Sequence, residues 1–299
     1  MRIIILSRNA DLYSTSRLVE AIRATGHAAI VVDTLGCVLS LAQGRPSIIY
    51  KGKPLRNFGC VVPRIGHSIT SYGVAVVAQF EMMGAPVVNR ATAISRSRNK
   101  LRALQFLAKH GLDIPRTVML RDVKELDRAI AEVGGLPVIL KLLQGTQGIG
   151  VILAETREAV ASIVETVHGL ERDILVQEYI REARGRDLRV IVVGGRAVAA
   201  MRRIGREGEF RSNIHLGGRG EKVELARGFS RIAIEAAKTL GLGVAGVDLL
   251  ETPAGPKVME VNSSPGLKEI ERCTKIDVAR QIAIYAVEFG SKRRESDPI

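Results

Sequence analysis

Tryptophan is absent from the 299-residue chain, and aromatic residues make up only 4% of it. This scarcity argues against a protein that holds single-stranded nucleic acid by stacking bases on aromatic side chains. No stretch approaches the roughly 18 apolar residues that a membrane span needs, and the apolar run in the opening MRIIILSRN is too short for a signal peptide. We therefore expect a cytoplasmic protein with no part in a membrane.

Cysteine is also scarce, and its spacing carries no pattern. Cys37, Cys60 and Cys273 are far apart and form no CxxC pair. Such spacing indicates neither a disulfide framework nor a zinc site, and it is typical of reduced thiols in a cytosolic protein.

Acidic residues are fewer than basic ones: the chain has 44 Lys and Arg and 31 Asp and Glu, which gives a net charge of +13. The excess is compatible with a solvated basic surface or with an anionic partner, such as a nucleotide, an acidic peptide, RNA or a membrane. Charge alone does not choose among these. The length favours two or three packed subdomains.

The first 95 residues alternate between short β-branched runs and amphipathic helices, which predicts a parallel α/β domain. The predicted strands cover residues 3–6, 30–32, 61–62 and 87–88. One predicted helix begins at Ser14 or Ser16 and ends near Gly26, and a second covers residues 72–83.

The remaining chain predicts two further α+β units, over residues 96–177 and 178–290, before a polar tail at 291–299. The first has a helix over 96–111, strands over 138–142, 150–153 and 174–177, and a helix over 157–167. The second has hairpins over 188–203 and 245–262 and helices over 229–240 and 277–289.

Three oxygen-bearing side chains are predicted to meet on the last hairpin. Glu260 and Asn262 point to the same side of their strand, and the partner strand can bring Asp248 alongside. Neighbouring carboxylates repel each other unless a cation lies between them, and oxygen ligands suit Mg²⁺ or Mn²⁺. An exposed strand face with ordinary acids is the alternative.

A glycine-rich loop at 144–150, QGTQGIG, follows Lys141. Its glycines allow backbone N–H groups to approach phosphate oxygens, although a plain hairpin turn explains the loop equally well. Lys141 ends an apolar strand, where a buried ammonium needs an anionic partner such as a nucleotide phosphate. Lys100, considered by itself, is interpreted as a surface lysine.

Weaker signals follow the strand at 174–177. Glu178 and Tyr179 could present backbone groups to a purine, and Asp187 could bind ribose hydroxyls. Arg189 lies on the same strand face as Asp187, so an Asp187–Arg189 ion pair is the alternative.

A basic segment, RRIGREGEFRSNIHLGG, contains arginines that can bind phosphate or carboxylate with two hydrogen bonds. Arg211, Ser212 and Asn213 together suit the charge of a triphosphate, and a basic loop with no fixed ligand is the alternative. The other basic residues of the segment are Arg202, Arg203, Arg206 and His215.

The order of these motifs resembles the ATP-grasp superfamily over nearly the whole chain. The stretches KLLQGTQGIGV, VQEYI, EFRSNIHLGG and VMEVNSSPGL, with PRIG at 63–66, resemble the RimK-type ribosomal protein glutamate ligases. The resemblance implies an ATP-grasp fold preceded by an N-terminal parallel α/β (pre-ATP-grasp) domain.

The resemblance also implies a role for each matching residue. Asp248, Glu260 and Asn262 would bind two Mg²⁺ or Mn²⁺ ions, and Arg189, Arg202 and Arg203 would bind acidic substrate and stabilise the intermediate. The residues implied to bind ATP are Lys100, Lys141, Gln147, Gly148, Glu178, Tyr179, Asp187, Arg211, Ser212 and Asn213.

The implied activity is ATP-dependent addition of L-glutamate to the acidic C-terminal tail of a small-subunit ribosomal protein through an acyl-phosphate, with poly-α-glutamate as a further product. The resemblance also suggests a homo-tetramer, and we expect no direct nucleic-acid binding. Two alternatives stay open: an ATP-grasp ligase for another small-molecule carboxylate and amine, such as those of a coenzyme or a small dipeptide, and a non-catalytic basic protein that binds RNA or the ribosome.

Overall fold

The computed structural model describes residues 1–143, 150–214 and 217–295. The roles predicted for Gln147 and Gly148 in the glycine-rich loop, and the predicted basic residue His215, lie outside the described residues. Within the described ranges, no helix combines the length and the apolarity needed to cross a bilayer.

The first part of the chain forms a parallel sheet of order β2-β1-β6 with helices on both faces. Alternate residues of its central strand enter different cores: Ile3 and Ile5 pack beside the first and last helices of the chain, and Ile4 and Leu6 pack beside the second. Burial on both faces explains the unbroken apolar run, and the predicted parallel α/β arrangement is confirmed. The elements are β1 (Arg2–Leu6), α1 (Tyr13–Ala24), β2 (Ala28–Val32), β3 (Cys37–Ala42), β4 (Arg45–Tyr50), β5 (Lys53–Pro54), β6 (Cys60–Pro63), α2 (Thr70–Met82) and α3 (Ala91–Arg98).

Three features of this part differ from the predictions. An antiparallel sheet of order β3-β4-β5 was not predicted. The predicted strand at 87–88 is reduced to one parallel bridge between Val61 and Val87. The predicted serine cap of α1 is wrong, since the N-cap is Leu12 without a side-chain bond. Ser14 instead accepts a hydrogen bond from the backbone N–H of Leu267 at 3.0 Å, which ties α1 to the C-terminal part.

The helix predicted over 96–111 is two helices that meet at Asn99. Asn99 ends α3 and caps the following helix, because its side-chain oxygen accepts the backbone N–H of Arg102 at 2.9 Å. Arg98 therefore lies in the last turn of one helix, and Lys100 opens the next.

The central part is a four-stranded antiparallel sheet of order β7-β10-β8-β9. The predicted helix and the three predicted strands are confirmed, whereas β7 and α5 were not predicted. Its elements are α4 (Lys100–Lys109), β7 (Thr117–Leu120), α5 (Leu126–Glu132), β8 (Val138–Leu142), β9 (Val151–Ala154), α6 (Arg157–Gly169) and β10 (Ile174–Glu178).

The last part is a five-stranded antiparallel sheet of order β13-β12-β11-β14-β15. Both predicted hairpins are confirmed, and β13 and α8 were not predicted. A bulge separates the pairs Asp248–Glu260 and Leu249–Val258, which leaves Met259 without an opposite residue. The elements are β11 (Arg186–Val193), β12 (Arg196–Ile204), β13 (Arg219–Lys222), α7 (Arg227–Leu240), β14 (Val244–Thr252), β15 (Gly255–Asn262), α8 (Lys268–Thr274) and α9 (Val278–Glu295).

The two faces of the five-stranded sheet have different coverings. Leu188 and Val190 belong to the face that packs against α4 and α7. On the opposite face, Ile191 and Val193 pack against α8 and α9, and α9 also packs against α1. The same face continues past Ile191 to Arg189 and Asp187, where the side chains become charged.

Candidate functional site

The charged half of this sheet face contains residues from neighbouring strands in direct register. Asp187 lies opposite Arg203, Arg189 lies opposite Asp248, and Asp248 lies opposite Glu260. Because directly opposite side chains are the nearest neighbours in an antiparallel sheet, the register itself creates the ion pairs. Four strands, β12, β11, β14 and β15, thus contribute to one polar surface.

Two arginines and two aspartates form a connected network in this surface. Arg203 donates to both oxygens of Asp187 at 2.6 Å and to Asp248 at 2.7 Å. Arg189 donates to the two oxygens of Asp248 at 2.7 and 2.6 Å. The side chains of Arg203, Asp187 and Asp248 are only 6%, 1% and 2% exposed. The alternative Asp187–Arg189 pair is wrong, because each residue pairs across the sheet.

Electrostatics in the network favour the charged forms. Burial alone would raise the pKa of Asp248, but the charges of Arg189 and Arg203 outweigh burial and hold that pKa below its usual value. Burial opposes the charge on Arg203, yet Asp248 and Asp187 raise the pKa of its guanidinium. The ion pairs therefore hold Asp248 and Arg203 in their charged forms.

Arg202 is not part of this surface. Strand alternation turns its side chain to the opposite face, where it donates to Glu251 at 3.1 and 3.0 Å. Its predicted catalytic role remains a prediction, because the structure does not bring Arg202 together with Arg189 and Arg203.

Two lysines from the central part approach the same surface. Burial lowers the pKa of Lys141 to about 8, and the nearest charges acting on it are those of Glu260, Lys100, Asp248 and Asp187. Burial also lowers the pKa of Lys100, against the opposing charge of Glu260. Lys100 donates to the carbonyl of Leu142 at 2.8 Å. Neither lysine forms an ion pair with a described carboxylate, so the cleft contains cations that an added anion would stabilise.

Glu178 and Tyr179 lie at the end of β10. The Glu178 carboxylate accepts the backbone N–H of Arg116 at 3.0 Å and its guanidinium at 3.2 Å. Lys257 approaches the same carboxylate at 3.7 Å. The hydroxyl of Tyr179 is buried and has no hydrogen-bond partner among the described residues.

The segment 211–213 reaches the network through one side chain. Ser212 donates to Asp187 at 2.5 Å and is buried. Arg211 forms an ion pair with Glu209 at 2.8 Å. The backbone carbonyl of Asn213 accepts the N–H of Gly218 at 3.3 Å.

The three predicted metal ligands lie on the paired strands β14 and β15. Glu260 is exposed and acts electrostatically on Lys141, Lys100 and Arg98, and the described residues offer it no hydrogen bond or ion pair. Asn262 accepts the backbone N–H of Ser264 at 3.0 Å through its side-chain oxygen.

The donor chemistry fits a hard divalent cation, since all three side chains offer oxygen. Asp248 already accepts N–H groups from Arg189 and Arg203, so it would share its oxygens with them. In the described part of the chain, no three or more His, Cys, Asp or Glu side chains form a group that could hold a metal ion. The predicted ligands are not such a group, because the third of them, Asn262, is an asparagine.

The predictions assigned no role to Arg64 or Arg98, which border the same cleft. Arg64 follows the end of β6 and donates to the carbonyl of Pro265 at 2.6 Å. Arg98 is close enough to Glu260 for that carboxylate to act on its pKa. A usable signal was the position of Arg64 after a buried parallel strand, since ligands of open α/β sheets bind at the carboxyl ends of strands.

Comparison with known families places two domains on the chain. The profile of the RimK pre-ATP-grasp domain matches residues 1–94, and that of the RimK-like ATP-grasp domain matches residues 97–286. A protein of Thioalkalivibrio sulfidiphilus named probable alpha-L-glutamate ligase is 52% identical over 294 residues, which is 98% of each chain.

Solved structures share the fold. A RimK domain protein ATP-grasp from Sphaerobacter thermophilus is 27% identical, with a TM-score of 0.72, over 96% of this chain and all of that one (100%). The ATP-grasp ligase PsnB, solved with its minimal precursor, Mg and ADP, has a TM-score of 0.75 at 22% identity over 97% of this chain and 98% of that one.

Proposed function

The chain belongs to the RimK-like ATP-grasp family, and from that premise we propose that it ligates L-glutamate to the C-terminal carboxylate of a peptide or protein. As a member of that family it is an ATP-dependent carboxylate–amine ligase, so the alternative of a non-catalytic basic protein is not retained. Its relative's name, probable alpha-L-glutamate ligase, supports glutamate as the amine.

One observation carries the proposal. Two half-buried lysines without carboxylate partners among the described residues, Lys100 and Lys141, lie close to the oxygen-bearing edge formed by Asp248 and Glu260. Cations on one side and hard-cation ligands on the other form a suitable place for a triphosphate with its divalent metal.

Each part of ATP then has a candidate partner. Lys100, Lys141 and the segment 211–213 would bind phosphates, and Glu178 with Tyr179 would hold adenine. Asp187 would bind ribose, although it would then share its oxygens with Arg203 and Ser212. The predicted glycine-rich loop with Gln147 and Gly148 would complete the phosphate site.

Asp248, Glu260 and Asn262 would hold two Mg²⁺ or Mn²⁺ ions, which supply neutralisation of phosphate charge when bound. The ion pairs of Arg189 and Arg203 fix the Asp248 carboxylate in one orientation, so the network pre-organises that ligand. Both arginines are also placed to offset negative charge that develops in the cleft.

The chemistry follows from the poor electrophilicity of a carboxylate. A carboxylate oxygen of the acceptor attacks the terminal phosphorus of ATP, ADP leaves, and an acyl-phosphate forms. The amine of glutamate then attacks the acyl carbon, inorganic phosphate leaves, and the amine loses a proton. Water must be kept from the acyl-phosphate, because hydrolysis would waste the ATP.

We further propose that the acceptor is an acidic tail of a small-subunit ribosomal protein, with poly-α-glutamate as a second product and a homo-tetramer as the working form. The net charge of +13 favours acidic tails over neutral ones. A ligase for another peptide remains the second candidate, because PsnB, which shares the fold, was solved with a peptide precursor.

The test is to incubate the protein with ATP, Mg²⁺ and L-glutamate, with and without the ribosomal protein, and to weigh the products. We expect glutamate-dependent ADP release and acceptor masses increased by whole glutamyl residues. Glu260→Gln should abolish both, whereas Glu235→Gln, which changes an exposed glutamate on α7, should not. If glutamate fails with every acceptor while another amino acid is ligated, the proposed substrate is wrong.

A further inference from the structure

Arg64 and Arg98 form a pair of cations at the junction of the N-terminal sheet and the C-terminal sheet. Arg64 comes directly after β6, and its backbone N–H donates to the carbonyl of Leu6 at the end of β1 at 2.8 Å. Arg98 closes α3 and donates to the carbonyl of Ile65. The two guanidinium groups therefore flank the carboxyl ends of two parallel strands.

This pair of half-buried arginines has no carboxylate partner in the described part of the chain. Neither arginine forms an ion pair with any carboxylate among residues 1–143, 150–214 and 217–295. Burial, together with the charge of Arg98, lowers the pKa of Arg64 to about 10, and burial lowers the pKa of Arg98 against the opposing charge of Glu260. Two like charges in a desolvated place are unfavourable until a negative group joins them.

Unsatisfied polar atoms lie at the same junction. The Nε of Arg98 is buried without an acceptor, and the hydroxyls of Ser263 and Ser264 are buried without a partner among the described residues. These serines belong to the turn that follows Asn262 and includes Pro265, whose carbonyl accepts from Arg64. Buried polar groups are normally hydrogen-bonded, so one unsatisfied atom on Arg98 and two in the turn that Arg64 contacts suit an added hydrogen-bonding group.

A purely structural role does not account for the charges. Asn89 already ties this junction without charge, because its amide donates to the carbonyls of Val244 and Ser263 at 2.8 and 2.9 Å and accepts from Val244 at 3.0 Å. Each arginine contributes one hydrogen bond to the junction, although a guanidinium has five N–H donors.

We propose that Arg64 and Arg98, with the hydroxyl of Ser264, bind a carboxylate of a glutamyl substrate. Arginine pairs bind carboxylate through parallel N–H donors, and a serine hydroxyl can donate a further bond. Arg98 lies within electrostatic range of Glu260, so the bound substrate would lie next to the predicted metal ligands. This inference rests on the proposed function. The carboxylate belongs either to the incoming glutamate or to the acceptor's terminal glutamate.

The experiment measures binding separately from turnover. Isothermal titration with L-glutamate and with triglutamate, each in the presence of Mg²⁺ and a non-hydrolysable ATP analogue, gives Kd for the two carboxylate sources. The variants are Arg64→Gln, Arg98→Gln and Ser264→Ala. Arg90→Gln, an arginine whose side chain is 65% exposed, is the matched charge control. Asn89→Ala is the control for loss of the tether.

Each arginine variant should raise the Kd of one ligand about 10- to 100-fold, the loss expected for a charge-assisted hydrogen bond, with the Kd of the ATP analogue unchanged. Ser264→Ala should raise the Kd of the same carboxylate ligand roughly 2- to 10-fold. This variant keeps the test valid if an arginine variant does not fold. Weakened glutamate binding assigns the carboxylate to the amine substrate, and weakened triglutamate binding assigns it to the acceptor.

The proposal is overturned if all three variants bind both ligands as the unmodified chain does, if that chain binds neither, or if the arginine variants match Asn89→Ala. Absence of ligation by the unmodified chain, with carboxylate binding that still depends on Arg64 and Arg98, would refute the proposed function and leave this site standing.

Discussion

The two antiparallel sheets that contribute to the candidate site differ in how their charged side chains are paired. On the C-terminal sheet, the aspartates at 187 and 248 are paired with arginines 2.6 to 2.7 Å away. The central sheet and α4 instead bring in Lys141 and Lys100 with no carboxylate in contact among the described residues. The network of Asp187, Asp248 and their arginines is paired without a ligand, whereas the two lysines would be paired by an added anion.

This difference implies that the paired network contributes rigidity to the site, whereas the unpaired lysines contribute affinity for the nucleotide. A buried, fully paired network costs several kcal/mol to break and holds its carboxylates in one geometry. An unpaired buried cation costs stability, and a bound phosphate can recover that cost as binding free energy. We therefore expect mutations on the C-terminal sheet to reduce stability, and mutations of the lysines to reduce nucleotide affinity.

The largest expected effect is on stability, and it comes from comparing two neighbouring arginines on opposite faces of β12, of which only Arg203 belongs to the paired network. Arg203→Gln should lower the free energy of unfolding by about 3 kcal/mol, because it leaves Asp187 and Asp248 buried with fewer donors. Arg202→Gln should cost less than about 1 kcal/mol, since its pair with Glu251 is about one-third exposed. Urea unfolding measures both, and equal losses would contradict the distinction between the faces.

The candidate site could be predicted from the sequence where side chains share a strand or a hairpin. Strand alternation placed Glu260 with Asn262, and the hairpin brought Asp248 opposite Glu260. The Asp187–Arg189 pair failed because residues two apart on a strand are roughly 6.6 Å apart, farther than opposite residues. The hairpin put β12 beside β11, but the register shift between Ile191 and Val192, which places Arg203 rather than Arg202 opposite Asp187, was not predictable from the pattern. The position of β14 on the other side of β11 depends on tertiary structure, so the Arg189–Asp248 pair was not predictable either.

The fold was predictable where apolar periodicity was strong. The sheet β3-β4-β5 was missed because its strands are only half buried, although turns at Gly44 and Gly52 with positive φ gave a hairpin signal. The break at Asn99 was missed because residues 96–100, RSRNK, contain neither glycine nor proline to mark a helix end, and only the asparagine indicated a cap. The domain limits at 95 and 177 stay predictions.

The next effect tests the unpaired side. Lys141→Met should weaken ATP binding about 10- to 100-fold, the loss expected for a charge-assisted contact, without lowering the free energy of unfolding. The unchanged stability follows because methionine removes a buried charge that no described carboxylate contacts. Calorimetric titration and urea unfolding give the two quantities, with the exposed Lys109→Met as control. Normal ATP affinity in an unstable variant would reverse the roles of the two sheets.

The smallest effect is a pH dependence in which affinity and stability change in opposite directions. The pKa of Lys141 is about 8 in the folded chain and roughly 10.4 in an unfolded one, so the unfolded state holds more protons between those values. Stability without nucleotide should therefore rise with pH in that window, as the folded chain sheds an unpaired charge. ATP affinity should fall there by up to about tenfold per pH unit, because phosphate binding requires the ammonium form.

Burial sets this pKa first, and the charges of Glu260, Lys100, Asp248 and Asp187 act on it next. Lys141→Met should therefore flatten both pH profiles, whereas Lys109→Met should leave them as they are. Parallel rather than opposing profiles in the unmodified chain would mean that Lys141 is already paired before ATP binds, and the contrast between the two sheets would be lost.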